Sequence, residues 1–142
     1  MNQVKHLLSE KGDRVYSITP EDSVLDALRM MAEHQIGALL VISGNALVGT
    51  ISERDYARKV VLMGRASSAT KVVDIMADAL TTVTPDDTVD RCMGLCTDRR
   101  VRHLPVIDAG KVVGVLSIGD LVKSVISQQA EQLRQMEQYI SG

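Results

Sequence analysis

GTISERD, Gly49–Asp55, reads as the end of a β-strand running into a helix, and the same frame returns as GVLSIGD at Gly114–Asp120. Working outward from the two phrases, residues 17–60 can be laid over 82–125 without a gap. SITPEDSVLDAL then falls over TVTPDDTVDRCM, LLVI over LPVI, and LVGTISERD over VVGVLSIGD. Agreement that extends this far on both sides marks an internal duplication.

Within a copy, VYSIT or LTTVT predicts a strand, and the proline with two acids that follows predicts a turn feeding a helix. Ser23 with Asp26, and Thr88 with Asp90, supply N-cap and first-turn groups for that helix. Its apolar face repeats at helical spacing through Val24, Ala27, Leu28 and Met31, and in the second copy through Val89, Cys92, Met93 and Cys96. Two short apolar runs joined by a tight turn come next, ALLVI with LVGTI and LPVI with VVGVL. Each copy is therefore expected to run strand, helix, strand, strand, helix. VKHLL at Val4–Leu8 echoes VVDIM at Val72–Met76, which adds a short helical turn in front of each first strand.

The expected fold is α/β (α+β): two βαββα repeats, 4–63 and 71–126, around a linker at 64–70 whose Gly64 is a natural helix C-cap. A unit of about sixty residues is marginal alone, so the copies are expected to pack through their sheets as a pseudo-twofold pair. A C-terminal helical extension covers 127–142. It can be continuous with the last repeat helix from Ser117, with Leu121, Val122, Val125, Ile126, Leu133, Met136 and Ile140 along one side as a packing or dimer stripe.

Composition narrows the function. The 142 residues are 45% hydrophobic and 24% charged with a formal net charge of −2, so no global field draws in nucleic acid or acidic lipid. Three tyrosines are the whole aromatic complement, too few for a platform on which nucleic-acid bases stack. No apolar run approaches the ~20 residues of a membrane span, and the opening MNQVKHLLSEKGD lacks the apolar stretch of a secretion signal, so a cytoplasmic chain is expected.

The repeated phrase has two physical readings. Ser-x-x-acid is the spacing of a capping box, in which the serine oxygen takes a helix amide and the acid reaches back to the cap amide. The same helix start, with a hydroxyl and free amides, also suits a phosphate. An ionised aspartate three residues on accepts from both hydroxyls of a ribose, which leaves the preceding strands to enclose a base. The two uses are compatible, and spacing alone does not choose between them.

The phrases TPEDSV and TPDDTV, GALLVI and RHLPVI, and Gly-x-x-Ser-x-x-Asp twice, resemble a tandem pair of cystathionine-β-synthase (CBS) domains from about residue 4 to 126. The resemblance implies a stand-alone Bateman module: a regulatory pair that binds adenosine ligands in two clefts between the copies, assembles as a homodimer and acts on a partner protein without catalysis. It assigns Asp55 and Asp120 to ribose, with Ser52 and Ser117 toward phosphate. It assigns Asp22, Ala27, Ile36 and Gly37, with neighbouring Ala38, to the adenine pocket of the Asp120 cleft, and Asp87, Cys92 and Val101 to that of the Asp55 cleft.

The copies differ in charge. Arg54, Arg58 and Lys59 flank the first serine, whereas Gly119 stands where Arg54 does; Arg102 and His103 replace Gly37 and Ala38. In related modules basic residues at these strand positions contact phosphate, and a solvated basic edge is the alternative. The clefts are thus expected to be inequivalent, one taking a mononucleotide such as AMP and the other NAD(H) or ATP. Two rival functions remain: a ligand-free assembly protein in which the phrase only caps helices, and a cysteine-based redox protein using Cys92 and Cys96. One helical turn puts both thiols on an apolar face, which favours burial over redox work. His6, His34 and His103 have no partner at metal-ligand spacing, so no metal site is expected.

Overall fold

Strand ends and helix starts are set by side chains in the same places in both copies. The computed structural model describes residues 2–12 and 14–141. Its elements are α1 (Val4–Lys11), β1 (Ser17–Ile18), α2 (Val24–His34), β2 (Ala38–Ser43), β3 (Ala46–Ser52), α3 (Glu53–Tyr56), which continues as a π-helical turn (Ala57–Val61), α4 (Val72–Ile75), α5 (Val89–Arg99), β4 (His103–Asp108), β5 (Lys111–Ser117) and α6 (Ile118–Ser141). Ser23 Oγ accepts the Asp26 N–H at 3.1 Å at the start of α2, and Thr88 Oγ1 accepts the Arg91 N–H at 3.1 Å at the start of α5. Both helices end on a residue with left-handed backbone, Gln35 and Arg100. At Gly64 the backbone has φ 69°, and the Arg65 N–H closes back on the Val60 carbonyl at 2.9 Å, so the expected cap ends the first copy's last helix.

The chain divides into two compact units, Val15–Leu80 and the segment up to Arg14 together with everything from Thr81. In the first, β1 pairs parallel with β2 and β2 antiparallel with β3. The second holds the β4–β5 hairpin, with a register shift at Val106/Ile107 that matches the shift at Val41/Ile42. LTTVT forms no strand, contrary to expectation, and pairs with β4 only through a parallel bridge between Val83 and Val106. Pro105 explains the loss. It stands where Leu40 donates to the Tyr16 carbonyl, and a proline has no N–H to donate.

Each unit has its own core, one around Val24, Ala27, Met31, Leu39, Val41 and Ile51, the other around Val89, Cys92, Cys96, Leu104, Val106 and Leu116. The leading helices are exchanged between the copies. Val4 and Leu7 of α1 are buried in the core of the second copy, and Val72 and Ile75 of α4 in that of the first. The seams match: Val4 N–H donates to Asp87 carbonyl at 2.9 Å, and Val72 N–H to Asp22 carbonyl at 2.8 Å. The last helix is the continuous one foreseen from Ser117; Gly142, the end of the expected extension, lies outside the described residues.

The repeated glycines meet these exchanged helices. A Cβ on Gly49 would stand 2.8 Å from the Ala77 carbonyl oxygen and 2.9 Å from the Met76 sulfur; one on Gly114 would stand 2.6 Å from a Leu8 methyl. Ala77 is tied to Thr50 by two backbone hydrogen bonds and cannot withdraw, whereas the Leu8 methyl ends a flexible side chain. Gly49→Ala is therefore expected to cost about 1–3 kcal/mol. Gly114→Ala is expected to cost clearly less in the same urea denaturation series, and equal losses would contradict this packing.

Candidate functional site

Each repeated phrase forms a closed hydrogen-bond ring at its helix start. In the first copy the Ser52 N–H and Oγ–H donate to Asp55 Oδ2 at 2.9 and 3.0 Å, and the Asp55 N–H donates back to Ser52 Oγ at 3.2 Å. In the second, the Ser117 N–H donates to Asp120 Oδ2 at 2.8 Å and the Asp120 N–H to Ser117 Oγ at 3.1 Å. The capping box is thus real in both copies. It also fixes each carboxylate through Oδ2, at a half-buried position with side-chain exposures of 18% for Asp55 and 28% for Asp120.

The strand starts lie against these rings. Gly37 carbonyl accepts the Glu53 N–H at 3.0 Å and Arg102 carbonyl accepts the Ile118 N–H at 2.8 Å, while Ala38 faces Ser52 and His103 faces Ser117 across their hairpins. Arg102, His103, Ser117 and Asp120 are therefore brought together in one unit, as are Ile36, Gly37, Ala38, Ser52 and Asp55 in the other. Arg54 and Arg58 are exposed. Asp22 and Asp87 organise turns: Asp22 Oδ2 accepts from Thr19 N–H and Oγ1–H, and Asp87 Oδ2 from Thr84 N–H at 2.7 Å, with Arg91 3.2 Å from its other oxygen. Val101 is half-buried against its own core, and Ala27 and Cys92 are fully enclosed in theirs, with no surface of their own to offer a ligand. Asp120 lies in the other unit from Asp22, Ala27, Ile36 and Gly37, and Asp55 in the other from Asp87, Cys92 and Val101, so these cross-copy assignments rest on the resemblance alone.

Each aspartate also has a lysine, and the two come from different places. Lys59, one turn along from Asp55, stands 3.7 Å from Oδ1 and donates to the Ile75 carbonyl at 3.0 Å. Lys11, the last residue of α1, donates to Asp120 Oδ2 at 2.6 Å and to the Val115 carbonyl at 2.8 Å. Lys11 was not among the residues foreseen from sequence. Its neighbour in the chain is the first copy, and only the exchange of α1 delivers it to the second.

These contacts set the charges. Burial alone would raise the Asp120 carboxyl, but the Lys11 ammonium and the Ser117 amide and hydroxyl outweigh it and hold the group below the ordinary carboxylate range. Burial, then Lys11, push the His103 imidazole below its ordinary value, with Arg102 adding to them against Asp120. Neutral imidazole is thus favoured, so His103 presents a hydrogen-bonding group more than a cation at this strand start. Burial, followed by Asp87 and Cys96 against Arg91, pushes the Cys92 thiol up to about 11, and burial raises Cys96 as well. Both thiols stay protonated near neutral pH, which removes the thiolate that redox chemistry requires.

Two fixed carboxylates at twinned helix starts, each beside a hairpin, agree with the match of the CBS domain family to residues 4–62 and 72–127. The chain belongs to the CBS domain family. It is 46% identical over 129 residues to the Arabidopsis thaliana "CBS domain-containing protein CBSX3, mitochondrial", covering 87% of this chain and 63% of that one, so it spans less than two thirds of that relative's length. A putative signal-transduction protein with CBS domains from Burkholderia ambifaria is 50% identical at a TM-score of 0.86, over 90% of this chain and 96% of that one. A CBS domain pair solved in complex with 5′-methylthioadenosine and S-adenosyl-L-methionine has a TM-score of 0.80 over 90% of this chain and 98% of that one; at 22% identity it shows the fold alone. Among the described residues no helix is long and apolar enough to cross a membrane.

The depressed Asp120 has a direct readout. Its ionised form stabilises the fold at neutral pH, and that contribution is lost as pH falls through its folded pKa. In carboxyl-resolved NMR titration Asp120 is expected to titrate below an ordinary aspartate, and Lys11→Met is expected to raise its midpoint. An unmoved midpoint would show that Lys11 does not hold the carboxylate in solution.

Proposed function

We propose that this CBS pair is a non-catalytic regulatory module that binds adenosine ligands at its two Ser–Asp rings, Asp55 and Asp120 each holding a ribose. The observation that carries this reading is the pinning of both carboxylates through Oδ2 by their own strand-end amides. A carboxylate so fixed is a preorganised acceptor, and a vicinal diol presents it with two donors at little further ordering cost. Ser52 with Arg54, Arg58 and Lys59 forms the phosphate side of the first site, and Ser117 with Arg102 and His103 that of the second. The ligands are AMP or ADP at one and NAD(H) or ATP at the other. Occupancy acts by linkage: a ligand shifts a homodimer or a partner complex only by its differential affinity for the two states. The compartment in this reading is the cytoplasm, although the name of the Arabidopsis relative says mitochondrial.

A ligand-free assembly role is the competing reading, since the ring caps helices whether or not anything binds. Calorimetric titration with AMP, ATP and NAD(H) separates the two. Binding is expected for at least one nucleotide, with Asp55→Ala and Asp120→Ala each removing one binding event at a loss of about 2–3 kcal/mol, the worth of hydrogen bonds to a charged group. No heat with any of the three would overturn the sensor reading, and unchanged binding in either variant would overturn the residue assignment.

A further inference from the structure

The Asp120 carboxylate already has a cationic occupant from its own chain. Lys11 Nζ lies 2.6 Å from Oδ2, the oxygen that also accepts the Ser117 N–H, and its second hydrogen bond is to the Val115 carbonyl. Among the described residues the first copy shows no cation bonded in this way: Asp55 Oδ2 accepts from the Ser52 N–H and Oγ–H, and Lys59 forms a longer ion pair, 3.7 Å from Oδ1. Nor does the repeat supply one, because Ala79 follows α4 where Lys11 closes α1, and Ser124 stands where Lys59 does.

We propose that Lys11 sets ligand charge selectivity at Asp120, opposing uncharged ribosides and favouring adenosine ligands that carry a phosphate. This inference rests on the reading of Asp120 as a ribose site. A ribose diol that takes the carboxylate displaces or shares the Lys11 ammonium. An uncharged riboside offers that ammonium only neutral hydroxyl oxygens in exchange for its share of a carboxylate. A phosphate offers a new anionic partner, so the same lysine opposes one ligand and assists the other. The movement needed is local. Val4 and Leu7 anchor α1 in the core, while the Lys11 side chain is 39% exposed on a flexible four-carbon stem. Arg102 flanks the same strand start as His103, so a phosphate released from competition finds a second cation within the unit.

The test is a titration of the full chain with AMP and with adenosine, read by NMR at the Ser117 and Asp120 amides, with the Ser52 and Asp55 amides as internal reference. Wild type, Lys11→Met and Lys11→Arg are compared. Lys11→Met is expected to bind adenosine more tightly and AMP more weakly, so that the preference for AMP at the Asp120 site falls by about tenfold, the size of one exchanged charge-assisted hydrogen bond. Lys11→Arg keeps the preference, and the preference read at Ser52 and Asp55 is unchanged in both variants. A preference in Lys11→Met within about twofold of wild type, with both ligands still shifting Ser117 and Asp120, would overturn the role of Lys11 and leave the ribose site standing. If neither ligand moves those amides in any of the three proteins, the ribose reading falls and the selectivity falls with it.

Discussion

A carboxylate that must bond its own strand-end amide is the constraint on which the rest of this structure depends. The reciprocal ring between Ser52 and Asp55, and again between Ser117 and Asp120, ends a strand, starts a helix and fixes an acceptor in one stroke. Helix capping and the proposed ligand holding draw on the same oxygen-rich turn, and the cap makes the acceptor rigid at no separate cost. Around it, the hairpin brings the start of the preceding strand against the first helical amide, so whatever residue type occupies that strand start becomes part of the site.

Duplication makes two such turns, and the exchange of leading helices makes them unlike. Since α1 packs with the second copy and α4 with the first, each site receives groups from a segment that a sequence repeat assigns to the other. Lys11 in direct contact with Asp120, against Lys59 at 3.7 Å from Asp55, sets the two rings apart electrostatically. The contrast between Arg54 and Gly119, prominent in the sequence, is by comparison a difference between an exposed cation and none.

Much of this was legible in the residues. The capping serines and threonine, the hairpins, the helical end at Gly64 and the unbroken last helix all follow from local chemistry, and local chemistry is what a single sequence displays. The Ser–Asp pairs were readable as capping boxes from their spacing, and as candidate ligand sites from the resemblance to CBS domains. LTTVT shows the limit of pattern: its apolar alternation predicts a strand, yet the missing donor at Pro105, on another strand, decides otherwise. Lys11 was illegible for a related reason. Nothing in VKHLLSEK says which core its apolar face enters, and the destination of its last side chain follows from that choice. The π-helical turn after Tyr56 is likewise unannounced by any residue in ARKVV.

The most direct measurement is a crystal structure of the full chain grown with AMP. The ribose hydroxyls are predicted to lie within hydrogen-bond distance of Asp55 or Asp120, with the phosphate toward the serine and basic groups of the same helix start and the capping ring intact. A nucleotide bound elsewhere, or clear density for both rings with no nucleotide at either under saturating AMP, would contradict the account.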